Sequence, residues 1–68
     1  MLLNLKALRA SKNLSQSELG KLLGVSQTTI TAWETGRTTP SSKNVYELAN
    51  LYGIEASVIF DALFKQKT

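Results

Sequence analysis

Gln27, Thr28, Thr31, Ala32 and Thr35 fall, on a helical reading, along the outer side of a short segment whose inner side carries Ile30 and Trp33. They are amides, hydroxyls and a methyl group, able to donate and accept hydrogen bonds without adding net charge. The three threonines are poor helix formers, so their place on an exposed face asks what they touch. The chemistry they suit is recognition. Glutamine pairs in bidentate fashion with adenine N6 and N7, threonine donates or accepts, and a small apolar group meets a thymine methyl. The rest of the chain offers little else. With no cysteine and no histidine, disulfides, Cys/His zinc sites and histidine catalysis are excluded. No nucleophile–base pair, metal cluster or phosphate-cradling loop is evident, so the sequence reads as a binding protein with no cofactor.

The segment needs elements to position it, and the sequence marks five helices. Leu2, Leu5 and Leu8, followed by Arg9, outline a first that ends near Lys12 and Asn13. Ser15-Gln16-Ser17-Glu18 is a capping box that opens a second, with Leu19, Leu22 and Leu23 on its inner face and Gly24 as its stop. Val25 turns into the core, and Ser26 caps a third helix from about Gln27 to Thr35, closed by Gly36. A polar loop, GRTTPS, leads to Pro40 and Ser41, which set up a fourth with Val45, Leu48, Ala49 and Tyr52 at helical spacing. After Gly53 a fifth spans about Glu55 to Phe64. Sustained alternation and Asn-Gly turns are both missing, so no strand competes. The fold class is all-α, a five-helix bundle occupying residues 1–64, with a short basic tail at 65–68.

The second and third helices, joined by a tight glycine turn over residues 15–36, make a helix-turn-helix. Gly20 sits where they cross, and only a small side chain there permits a close approach. Charge is uneven: six Lys and Arg face two Glu in residues 1–43, giving +4, whereas residues 44–64 hold only three acids, giving −3. A basic front suits a polyanion.

Residues 5–60, LKALRASKNLSQSELGKLLGVSQTTITAWETGRTTPSSKNVYELANLYGIEASVIF, resemble the lambda-repressor-like helix-turn-helix family of the XRE/Cro type. Leu8-Arg9, LSQSEL, the turn glycine, WETGR, Pro40-Ser41 and LANLYGI agree with it in register. The resemblance implies base contacts from Gln27, Thr28, Thr31 and Ala32. It implies phosphate contacts from Gln16, Ser26, Thr35, Arg37 and Lys43, and a structural salt bridge between Arg9 and Glu34. Gly20 departs from the alanine more usual in the family, at about 1 kcal/mol of helix propensity. Glu55 stands where Ser or Thr often caps the fifth helix.

That fifth helix is apolar over most of its circumference, with Ser57, Asp61 and Lys65 as its polar stripe. Ile59 is its core residue, and the excess from Val58, Ala62, Leu63 and Phe64 implies an exposed patch that a partner covers. The resemblance points the same way, to a two-fold homodimer through this helix and a roughly palindromic double-stranded DNA operator. The expected function is a sequence-specific transcriptional regulator, a small prokaryotic or phage repressor. The alternative is a protein-interaction module of the same fold, such as an antitoxin or adaptor, docking through the fifth helix. A location in the cytoplasm, near the nucleoid or in a phage-infected host, follows from the lack of a signal peptide or membrane-length apolar run.

Overall fold

The first four helices begin where a side chain satisfies a backbone N–H that has no intrahelical partner. The computed structural model describes residues 4–65, and side-chain environments from Asn4 to Leu63. In α1, Leu5–Ser11, the Asn4 side chain accepts from the Ala7 N–H at 2.7 Å. In α2, Gln16–Leu23, Ser15 Oγ accepts from the Glu18 N–H at 3.0 Å, while Glu18 Oε1 accepts from the Ser15 N–H at 2.8 Å. The capping box is thus reciprocal. Those bonds, the backbone one foremost, hold the Glu18 carboxyl below its ordinary pKa. Ser26 caps α3, Gln27–Glu34, and Ser41 caps α4, Ser42–Tyr52. The fifth helix, α5, runs Ala56–Lys65.

Leu5 and Leu8 of α1, Leu19 of α2, Ile30 and Trp33 of α3, four residues of α4 and three of α5 close one core. The four from α4 are Val45, Leu48, Ala49 and Tyr52. Burial pushes the Tyr52 phenol up to about 12, with the Glu34 carboxylate adding in the same direction.

The α2–α3 crossing rests on Gly20. A Cβ built there would lie 2.6 Å from the Val25 carbonyl oxygen, which is backbone and cannot swing aside. Gly24 then turns the chain in the left-handed region, φ 73°, so that α3 can start three residues later.

Two expectations are corrected. Leu22 is 59% exposed and does not belong to the inner face of α2. That face is the Gln16, Gly20, Leu23 stripe with Leu19 beside it, and the direction of α3 packing turns Leu22 to solvent. On α5, Ala62 and Leu63 are 2% and 5% exposed within the single chain, beside Ile59 at 0%. Positions 59, 62 and 63 form the helical stripe that packs on α4 and α1, so these two are core and not an outer patch. Val58 is half-buried; Leu2 and the side chain of Phe64 lie outside the described residues.

Candidate nucleic-acid interface

α3 divides into two stripes. Gln27, Thr31 and Glu34, at i, i+4 and i+7, line the side toward the start of α2. Thr28, Ala32 and Thr35 lie further out, with Thr28 and Thr35 exposed and Ala32 half-buried. The first stripe is tied together through Gln16, the first residue of α2. Gln16 Nε2 donates to Glu34 Oε1 at 3.0 Å, and Gln16 Oε1 accepts from Thr31 Oγ1 at 3.0 Å and lies 3.5 Å from Gln27 Nε2. Gln16 reaches all three because it lies on the same α2 stripe as Gly20, whose missing side chain lets α3 approach.

Beneath this layer Arg9 and Glu34 form a bidentate ion pair. Arg9 Nε donates to Oε2 at 2.6 Å and Nη2 to Oε1 at 3.2 Å, with the two side chains 13% and 6% exposed. Nη1 is held by the Leu14 carbonyl at 2.7 Å. The hydrogen bond to Glu34 raises the guanidinium pKa further, so the charge is permanent. The pair ties α1 to α3.

The other sequence-derived residues sit around this centre. Ser26 Oγ is occupied as a cap for Thr29 and shares a hydrogen bond with the Thr29 hydroxyl. The Thr35 hydroxyl donates to the Thr31 and Ala32 carbonyls, so a phosphate would have to take that hydrogen from α3 itself. Arg37 and Lys43 are exposed, one in the loop after α3 and the other in the first turn of α4. The first turns of α3 and α4 carry no acid. Their positive ends are therefore not offset by a carboxylate, an arrangement that favours an anion nearby.

A helix-turn-helix family model matches residues 5–59. The chain belongs to the lambda-repressor-like helix-turn-helix family. Among its relatives in this family, an uncharacterised HTH-type transcriptional regulator of Methanocaldococcus jannaschii is 45% identical over 56 residues, covering 82% of this chain and 85% of that one. A second uncharacterised HTH-type regulator, from Archaeoglobus fulgidus, is 41% identical over 59 residues, covering 84% and 83%. The ImmF control region 10 kDa protein of Bacillus phage phi105 is 36% identical over 55 residues, 81% of this chain and 61% of the phage protein. No solved structure matches. Membership in the helix-turn-helix family brings a class of function with it: DNA binding and transcriptional regulation. Among the described residues no helix is long and apolar enough to cross a membrane.

The sequence reading missed the contact between Gln16 and Glu34. It treated Gln16 as a phosphate ligand and Glu34 as purely structural. The signal was present in the spacing, since 16, 20, 23 on α2 and 27, 31, 34 on α3 are matching stripes.

Proposed function

We propose that this chain is a repressor that binds a palindromic operator, inserting α3 into the major groove. The observation that carries the reading is the layered α3 surface. An ion pair ties the helix to α1, an amide–hydroxyl layer lies above that pair, and Thr28 stands exposed beyond. Gln27, Thr28, Thr31 and Ala32 would meet base edges. Gln16, Arg37 and Lys43 would meet phosphates, with help from Ser26 and Thr35. Regulation is consistent with the relatives' names, two HTH-type transcriptional regulators and a protein of a phage control region.

Two copies paired through the outward side of α5 would place their recognition helices about 34 Å apart, one turn of duplex. Since Ala62 and Leu63 are internal, Val58 is the described residue from the expected patch that is left for such a pairing. The rival docking-module reading uses the same face of α5 and is narrowed in the same way. Phosphate contacts would supply much of the affinity, so binding falls steeply as salt rises.

Selection of bound duplexes from a random pool at near-physiological salt tests the reading. Enrichment of an inverted repeat with half-sites about 10 base pairs apart is the expected outcome. Salt-sensitive binding without any enriched sequence would remove the operator.

A further inference from the structure

The Arg9–Glu34 pair reaches beyond the core. Glu34 Oε1 accepts from Arg9 Nη2 and also from Gln16 Nε2. A carboxylate oxygen only accepts, so the end of the Gln16 amide that faces Glu34 has to be its nitrogen. The Gln16 carbonyl oxygen is thereby turned toward α3. Thr31 has one hydroxyl hydrogen, and its two neighbours, Gln16 Oε1 at 3.0 Å and the Gln27 carbonyl at 3.1 Å, are both acceptors. That hydrogen is committed, and Thr31 has only lone pairs to offer outward. Gln27, with one amide hydrogen toward Gln16, keeps its carbonyl oxygen as an acceptor beside its second amide hydrogen.

We propose that Glu34 is a specificity-positioning residue. Through Gln16 it sets the donor–acceptor polarity of Thr31 and Gln27, so that each turns an acceptor to the groove and favours, at the base it reaches, one that offers an amino group over one that offers only acceptors. In the major groove those amino groups are adenine N6 and cytosine N4. The inference rests on the operator reading above and adds a cause for its sequence preference. A free glutamine amide has two orientations that differ by a half-turn. Here a charge-assisted hydrogen bond to a carboxylate, itself held in a bidentate pair by Arg9, stabilises one of them. The second Gln16 amide hydrogen is uncommitted and remains available to a phosphate.

Glu34→Gln tests this, because a glutamine at 34 can face Gln16 with either its oxygen or its nitrogen. Wild type and E34Q are carried through the same random-duplex selection, at a temperature where circular dichroism shows both folded. The expected result is a change confined to the positions read by Thr31 and Gln27. Discrimination there, about 5- to 150-fold for a good base contact, should drop by about fivefold or more while other positions keep their preference. Uniform weakening with an unchanged preference profile would overturn the proposal and leave Glu34 a structural residue. A wild type that enriches nothing removes the operator reading and this proposal with it, a failure distinct from an unchanged E34Q profile. If E34Q does not fold, hydrogen exchange of the Gln16 side-chain amide in the wild type decides: protection supports the relay, and exchange as fast as in a free glutamine refutes it.

Discussion

The α2–α3 pair and the α4–α5 pair meet the same demand, two helices held at a fixed angle, by different means. α4 and α5 interlock through aliphatic side chains, with Val45, Leu48 and Ile59 at 0%, 1% and 0% exposure. α2 and α3 add to their share of the core a missing side chain, Gly20 against the Val25 carbonyl, and a polar chain from Arg9 to Thr31. Apolar packing tolerates modest repacking, because it depends on volume more than on direction. A hydrogen-bonded layer is directional, and a carbonyl in van der Waals contact leaves no slack. Both pairs share the apolar core, through Leu19, Ile30 and Trp33 on one side and Val45, Leu48 and Ile59 on the other, but only the α2–α3 contact adds a directional polar layer.

Four perturbations separate these roles. Ile59→Ala should have the largest effect on stability, about 2–5 kcal/mol by denaturant melts, with the preference profile of the remaining folded protein intact. A shifted profile would mean that α5 also sets the pose. Tyr52 comes next. Its phenol ionises in the unfolded chain near the ordinary 10 and in the folded chain at about 12. The protein is therefore at full strength below pH 10 and loses about 2–3 kcal/mol as pH rises through 12. Tyr52→Phe should flatten that alkaline limb.

Gly20→Ala sharpens the contrast most directly. It recovers helix propensity of about 1 kcal/mol, yet its methyl would press on backbone, and overpacking of this kind costs about 1–3 kcal/mol. We expect a small net loss of stability with a larger loss of DNA affinity. Full affinity in the variant would show that the crossing has slack. The smallest effect belongs to Ser15→Ala, about 1 kcal/mol for a lost N-cap. Hydrogen bonds from Ser15 lower the Glu18 pKa, so their contribution is present above the ordinary carboxylate range and fades as pH falls through the lowered value. S15A keeps the backbone N–H, the larger cause, and loses only the hydroxyl, so its acid titration should show a slightly shallower decline than wild type.

The sequence made the caps and stops legible because each is a local signal: Ser15 with Glu18, Gly24, Ser26, Ser41, Gly53. It made the core of α4 legible through spacing alone. The inner side of α5 was harder, since a helix apolar over most of its circumference does not say which arc faces inward. Only the packing on α1 and α4 selects Ile59, Ala62 and Leu63. Leu22 failed for a related reason, as an apolar residue at the edge of a stripe is turned out by the neighbour's direction. In the candidate site, residue types suggested the chemistry and the resemblance supplied the Arg9–Glu34 pair. The orientation of the Gln16 amide required knowing that Glu34 stands beside it.

Because the carbonyl oxygen of Gln16 is shared with Thr31 and stands beside Gln27, the proposed reading head is not confined to one helix. An engineer who transplants residues 27–35 into another scaffold moves half of it. A library randomised only on α3 would still be filtered by an acceptor fixed on α2, which rewards donors at 27 and 31 before any DNA is present. Respecifying the protein means varying Gln16 together with the helix it faces.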